Sequence, residues 1–150
     1  MRRLLKAAAM SAAATTALAG SIDFDLPPIV SGEVTTFDDH HQASEHELSP
    51  EQLRAIAHWL SWNRQGWYGS KAKSLPEPVQ LQFNLRHSDG TLATLSVVSP
   101  PFGPRKHDAF FTNQGAPWSY HAWFGTIKAS AANRPLSESE LSLLQKIARE

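Results

Sequence analysis

The segment VQLQFNLRH, residues 79–87, alternates between apolar and polar side chains and leads directly into a turn sequence. Successive side chains of a strand point to opposite faces, so this pattern predicts a strand with one apolar and one polar face. Ser88-Asp89-Gly90 follows, and the glycine permits the positive φ that tight hairpin turns require. Residues 91–98, TLATLSVV, then return as the partner strand. A half-buried antiparallel sheet is therefore the element that any fold of this chain must contain.

Two further segments, LSPEQLRAIAHWL and LSESELSLLQKIA, carry complete helix-start signals. In each, a serine at the N-cap position (Ser49 or Ser137) is followed three residues later by Gln52 or Glu140, which can close a capping box. Apolar residues then recur at intervals of three and four. We therefore expect two amphipathic helices, one before and one after the hairpin.

Residues 109–112 and 118–127 are predicted to add two strands to the hairpin. The predicted fold is a single small α+β domain over residues 48–150: a helix, an antiparallel meander of about four strands, and a C-terminal helix packed on one face of the sheet. A chain of 150 residues has room for one such domain. It contains no cysteine, so disulfides, thiolate zinc sites and cysteine nucleophiles are excluded.

Residues 1–19 differ from the rest of the chain. Three basic residues lie within the first six positions, an uncharged alanine-rich stretch follows, and Ala17-Leu18-Ala19 supplies a small-x-small cleavage pattern. This arrangement predicts a signal peptide and a location in the bacterial periplasm or outside the cell. A mitochondrial presequence and an uncleaved helical tail are the alternatives. The stretch is too short and too weakly apolar for a stable membrane span.

The stretch LSPEQLRAIAHWLSWNRQGW resembles a pattern of small exported proteins of proteobacteria that have no assigned function. The pattern consists of a capped helix, a W-L pair, an R-x-G-W motif and a D-G turn downstream, and it covers about a quarter of the chain. The resemblance implies export but no activity. The residues that carry it are Leu48, Ser49, Gln52, Leu53, Trp59, Leu60, Arg64, Gly66, Trp67, Asp89 and Gly90.

The charges are unevenly distributed along the chain. Residues 20–53 contain eight acids and no lysine or arginine, whereas residues 54–150 contain eleven basic residues and six acids. This distribution predicts an acidic, extended lead-in arm over residues 20–47, with at most one short edge strand near residues 33–37. The basic excess in the remainder is too small and too scattered to indicate nucleic-acid binding.

The sequence FDDHHQASEHE, residues 37–47, places His40, His41 and His46 among carboxylates. Imidazole and carboxylate groups are donors that zinc and copper accept. Adjacent histidines of an extended chain point to opposite faces, so His40 and His41 can share one ion only if the backbone turns sharply. The pattern is therefore interpreted first as a solvated acidic arm, and weak zinc or copper binding is the alternative. No other cofactor is indicated.

Motifs of common enzymes are absent from the sequence. There is no G-x-S-x-G, no phosphate-binding loop and no H-E-x-x-H. An enzyme in which His87, His107 or His121 meets an acid in a cleft is the least supported alternative.

Five tryptophans are present, and their positions suggest a binding surface. Trp62 lies off the apolar stripe of the first predicted helix, whereas Trp59 flanks that stripe and is expected in the core. Two proline-bearing loops combine an aromatic residue with cations, a composition typical of interaction hot spots. In the alternative interpretation, the aromatic residues of these loops cover the ends of the sheet. The candidate partner-binding residues are Trp62, Trp67, Tyr68, Lys71, Phe102, Arg105 and Lys106.

The leading hypothesis is an exported, non-catalytic domain that binds another protein. Its concrete form is an inhibitor or immunity-type antagonist of a secreted enzyme. An exported metal-handling protein and an uncharacterised enzyme are the two alternatives.

Overall fold

The computed structural model describes residues 20–23, 26–69, 78–99, 107–113, 118–122, 125–129 and 131–150. This part of the chain forms ten strands and two helices. In chain order they are β1 (Gly20–Asp23), β2 (Ile29–Phe37), β3 (Ala43–Glu47), α1 (Pro50–Trp62), β4 (Gln65–Gly69), β5 (Val79–His87), β6 (Leu92–Val98), β7 (Asp108–Asn113), β8 (Trp118–Ala122), β9 (Gly125–Ala129), β10 (Ala131–Pro135) and α2 (Glu138–Arg149).

The strands form one sheet in the order β3-β2-β5-β6-β7-β10-β4-β1-β8-β9. The neighbouring strands pair antiparallel, and the β5–β6 hairpin has the register expected from its sequence, with Phe83 opposite Leu95. Its turn contains Gly90 at a φ of 85°. Strands β3 and β9 are at the two edges of this sheet.

The prediction of a four-stranded meander that begins with a helix is wrong. Three strands precede α1, and the sheet has more than twice the expected number of strands. Residues 20–47 are not a lead-in arm, because β1 lies between β4 and β8 while β2 lies between β3 and β5. The physical reason is that these strands pair with segments distant in sequence, as Val34 does with Phe83. Such pairing leaves no local signal beyond a short alternation.

Both predicted capping boxes are confirmed. The Ser49 hydroxyl accepts a hydrogen bond from the Gln52 backbone N–H at 3.2 Å, and the Gln52 side chain accepts one from the Ser49 N–H at 2.8 Å. Ser137 and Glu140 repeat the arrangement at the start of α2, with the same two distances. Each box satisfies two backbone donors that an uncapped helix leaves unpaired, so both helices begin where their local sequences predict.

The core lies between the two helices and the apolar face of the sheet. Side chains that alternate along β2, β5, β6 and β7 pack there against the buried stripes of α1 and α2. Trp67 of β4 and Ile22 of β1 extend the same cluster. Burial of this apolar surface is the main stabilising contribution in a chain without disulfides. The central members are Ile22, Val34, Ile56, Trp67, Phe83, Leu85, Leu95, Phe111 and Leu144.

The two helices run in opposite directions across the sheet. The side chain of Gln52, in the first turn of α1, donates to the carbonyl oxygen of Ile147, near the end of α2. At the other end, the ring of Trp59 faces the guanidinium of Arg134, which pairs with Glu140 in the first turn of α2. Neither α1 nor α2 has the length and apolar character needed to cross a bilayer.

Candidate functional site

An open groove of about 390 Å³ lies between α1 and the C-terminal half of α2. Trp59 and Ile147, both buried, line it from the core side. Ala55 and Trp62 of α1 and Leu143 of α2 contribute further apolar surface. We call this feature the α1–α2 groove. Its lining is mainly apolar, as is typical of sites that take apolar groups from a ligand.

Trp62 is the most unusual residue of this groove. Its side chain is 77% exposed, although tryptophan is on average among the more buried residue types. Across the groove, Leu143 is 46% exposed. Both residues lie off the buried stripes of their helices, so neither side chain is needed by the core. Two large apolar side chains are therefore presented to solvent on one face of the helix pair.

His58 contacts Trp62 from the preceding turn of α1. The two ring centroids are 5.2 Å apart, with an angle of 35° between the ring planes. Residues four apart on a helix are neighbours on its surface, so this contact follows from the helical repeat. Both rings therefore lie on the side of the helix that lines the groove.

Arg134 supports the groove from beneath. Its guanidinium lies 5.9 Å from the centre of the Trp59 ring. The same group donates from Nε to the carbonyl of Gln65 at 2.9 Å and pairs with Glu140 at 2.7 Å. These contacts connect β10, β4 and the start of α2 to the ring that lines the groove. The inner surface is thus held by several elements, whereas the outer side chains are free to meet a ligand.

The rim of the groove carries one charge of each sign. Nζ of Lys146 lies 3.4 Å from the Glu150 carboxylate one turn further along α2. Both side chains are largely exposed, so this ion pair contributes little to stability. The rim therefore carries both a positive and a negative side chain, and both are accessible to a partner.

A larger opening of about 730 Å³ lies on the other side of α2 from the α1–α2 groove. It is bordered by the turn between β2 and β3, the start of β5 and the end of α2, and its lining includes Asp38, Asp39, His41 and Arg149. These groups are exposed and polar, and such a solvated cleft gives little gain when a ligand displaces its water. Size alone does not make it the better candidate.

The structure changes the list of predicted partner-binding residues. Trp67 is fully buried, with its ring centroid 6.3 Å from that of Phe111 and its indole N–H donating to the carbonyl of Asn63. The prediction that Trp67 is a surface contact is therefore wrong, because β4 is an internal strand and not a loop. Tyr68 lies half-buried in the same strand, opposite Asn133. Trp62 lies in the groove; Lys71, Phe102, Arg105 and Lys106 lie outside the described residues.

The three candidate metal ligands occupy separate positions. His40 and His41 belong to a turn in which the Asp38 carboxylate accepts hydrogen bonds from the backbone N–H groups of His40 and Gln42 at 2.9 and 2.8 Å. His46 lies in the edge strand β3, with its Nε2 3.5 Å from the side-chain nitrogen of Gln52. Within the described ranges, no group of three or more His, Cys, Asp or Glu side chains is placed to hold an ion. Metal binding by these histidines stays a prediction.

The other candidate histidines are also dispersed. His87 is buried, and its Nδ1 donates to the carbonyl of Pro27 at 2.8 Å, so this ring supports the chain segment before β2. His107 is half-buried just before β7, and His121 belongs to β8. These positions do not support the enzyme hypothesis, because the three histidines are not brought together.

Sequence reasoning identified Trp62 but missed Ala55, His58 and Leu143. The signal for Leu143 was present, since it lies outside the stripe formed by Leu141, Leu144 and Ile147. What the sequence could not show is that α1 and α2 lie side by side, which alone brings Leu143 opposite Trp62.

Comparison of this chain with protein-family models, curated proteins and solved structures finds no match in any of the three. The site is therefore interpreted from its own geometry.

Proposed function

We propose that this chain is an exported, non-catalytic domain that binds another protein through the α1–α2 groove. The observation that carries the proposal is the 77% exposure of Trp62 beside an apolar groove. Tryptophan is enriched among the residues that contribute most to binding energy, because a partner can desolvate its large apolar surface. Exposed apolar surface next to a concave site is also typical of a surface that binds another molecule.

The shape of the groove favours a helical segment of the partner. Two antiparallel helices leave a channel into which a third helix can place apolar side chains spaced three and four residues apart. Ala55 leaves space between the larger side chains, and the Lys146–Glu150 pair lies at the rim. The partner chemistry that fits is an amphipathic helix with charges of both signs flanking an apolar stripe. In the concrete version, that helix belongs to a secreted enzyme that this domain inhibits.

The export part of the proposal is supported by the composition of residues 1–19, which lie outside the described residues. Cleavage after Ala19 would leave Gly20, the first residue of β1, at the new N-terminus. None of the described strands and helices would be interrupted by this cleavage. Mass spectrometry of the chain recovered from an expressing bacterium tests this step, and a mass that retains residues 1–19 in the exported fraction contradicts it.

The binding proposal is tested by capture with three baits. The chain is expressed from its full sequence with a C-terminal tag as wild type, as Trp62→Ala and as Leu92→Ala, and each is exposed to extract of the native organism. Leu92 is a matched control, because it is an exposed leucine of β6 outside the α1–α2 groove. We expect one protein that is retained by wild type and Leu92→Ala and lost from Trp62→Ala. Capture in which no protein is lost selectively from Trp62→Ala would contradict the proposed site.

Two additions separate the competing functions. Repeating the wild-type capture with a chelator tests metal handling, since a partner held through His40, His41 or His46 would be lost only in that sample. If the captured protein is an enzyme, its activity is titrated with the purified chain. The inhibitor version predicts activity that falls to a minimum at a fixed stoichiometric ratio. Full activity with saturating chain would leave a binding domain that is not an inhibitor.

A further inference from the structure

The α1–α2 groove has a large side chain at one end and a small one at the other. Trp62 and Ala55 are seven residues apart on α1, and both line the groove. Seven residues make nearly two helical turns, so the two positions share one face and are separated by about 10.5 Å along the axis. The projecting indole of Trp62 and the open space above Ala55 therefore lie on the same surface.

We propose that a second copy of this chain occupies the groove, in a symmetric dimer in which each Trp62 packs over Ala55 of the other copy. In an interface with two-fold symmetry, one patch meets its own duplicate, so a projection must be matched by a depression elsewhere on that patch. An antiparallel crossing of the two α1 helices satisfies this condition, because it exchanges their two ends. Leu143 of each copy then meets the opposite helix pair across the same axis.

The charges around the groove fit the same arrangement. Lys146 and Glu150 lie one turn apart on α2 and are both largely exposed. Reversal of direction brings Lys146 of one copy towards Glu150 of the other, so the ion pair within each chain can be exchanged for two pairs between chains. After cleavage at Ala19 the remaining chain has eleven basic and fourteen acidic residues, a formal net charge of −3, so long-range repulsion between two copies is weak.

This inference stands on the geometry of the groove and does not depend on an external target. If the groove also takes a target protein, the two occupants exclude one another. Self-association would then hold Trp62 covered until a target of higher affinity displaces the second copy, which lowers the apparent affinity for weak partners.

The first test is sedimentation equilibrium of the purified wild-type chain, Trp62→Ala and Leu92→Ala. We expect wild type and Leu92→Ala to form dimers of equal stability, and Trp62→Ala to dissociate at a concentration at least tenfold higher. A wild-type chain that sediments as a monomer at every concentration overturns the proposal. A Trp62→Ala chain that dimerises as well as wild type also overturns it, because the dimer interface would then lie elsewhere.

The second test uses Lys146→Glu and Glu150→Lys, two substitutions at exposed positions that do not disturb the core. Each variant carries two like charges on its rim, so each is expected to dimerise less well alone. The rims of the two variants carry opposite charges. An equal mixture of the two is therefore expected to form a heterodimer at least as stable as the wild-type dimer. Because the charges are complementary only between chains, an effect within one chain cannot produce this result. A mixture that remains monomeric overturns the proposed charge contacts and the crossing that places them. Both tests use only the purified chain, so their failure is distinct from a failure of target capture.

Discussion

The side-chain amide of Gln52 donates a hydrogen bond to the carbonyl oxygen of Ile147 at 2.7 Å and thereby joins the first turn of α1 to the end of α2. Its oxygen accepts a second bond from the backbone N–H of Ser49 at 2.8 Å. Gln52 is only 4% exposed, and both the oxygen and the nitrogen of its amide are hydrogen-bonded inside the protein. One side chain therefore caps α1 and connects the two helices that form the groove.

Gln52→Glu should lower the free energy of unfolding at neutral pH. The carboxylate can still accept from Ser49, but it cannot donate to the carbonyl of Ile147, and a negative charge is placed in a buried position beside the His46 ring. Loss of a buried hydrogen bond with an unsatisfied partner predicts a decrease of about 2–4 kcal/mol in urea denaturation. Glu138→Gln, at an exposed position in the first turn of α2, is the control, where a decrease of less than about 1 kcal/mol is expected. Equal losses in both variants would show that the bond to Ile147 is unimportant.

The stability of the chain should depend on Glu140 in acid. Burial raises the pKa of Glu140. The backbone N–H of Ser137 and the guanidinium of Arg134 lower this pKa by a larger amount, so the net pKa lies below its ordinary value of 4.5. A folded pKa below the unfolded one stabilises the protein above pH 4.5, and this contribution is lost as pH falls through the folded pKa. Urea midpoints measured from pH 6 downward should therefore fall less steeply below about pH 4.5 for Glu140→Gln than for wild type. Glu138→Gln, at an exposed position of the same turn, should retain the wild-type slope; an unchanged slope in Glu140→Gln would contradict the assignment.

Gly32→Ala should destabilise the protein by steric conflict. A Cβ atom at this position of β2 would lie 2.7 Å from the backbone oxygen of Asn84 and 3.0 Å from a methyl group of Leu48. The backbone oxygen belongs to the paired strand and cannot move without disturbing the sheet, so a loss of about 1–3 kcal/mol is expected from thermal unfolding. Ser31→Ala, at the preceding exposed position, is the control and should leave the melting temperature nearly unchanged. A stable Gly32→Ala variant would mean that β2 and β5 are less closely packed than described.

Substitution by alanine should lower the free energy of unfolding strongly at Trp67 and hardly at all at Trp62. Removal of the fully buried Trp67 leaves a cavity beside Phe111 and should cost about 3–5 kcal/mol. Removal of the exposed Trp62 should change the stability of the dissociated chain by no more than about 0.5 kcal/mol. Far-UV circular dichroism in urea at low protein concentration measures both. A strong loss of stability in Trp62→Ala would make that residue part of the core and remove it from the site.

The elements that could be predicted from sequence are those specified by neighbouring residues. The serine caps predicted both helix starts, and the alternation of residues 79–87 with Asp89-Gly90 predicted the β5–β6 hairpin. Strand β4 was missed because its sequence, QGWYG, contains two glycines and follows a helix closely. Strand β3 is exposed along its whole length and has no apolar face to reveal it. The pairing of β10 with β4 and of β1 with β8 depends on contacts between distant segments, which local patterns do not encode.

The candidate site shows the same division. The helical phase of Trp62 placed it outside the core, and the structure confirms its exposure. Trp67, five residues later, follows the predicted helix end at Gly66 in a proline-bearing segment, and the sequence therefore predicts a loop residue. The structure instead places Trp67 in β4, which lies between β10 and β1. The apolar groove itself depends on the packing of two helices separated by more than seventy residues.

The most direct measurement of the central claim is calorimetric titration of the captured protein with the wild-type chain, Trp62→Ala and Leu92→Ala. If Trp62 is the main contact of the groove, its truncation should weaken binding by about 2 kcal/mol or more, which is roughly a thirtyfold rise in Kd. Leu92→Ala should bind with the wild-type Kd. Equal affinity of all three chains would contradict the claim that this protein binds its partner through the α1–α2 groove.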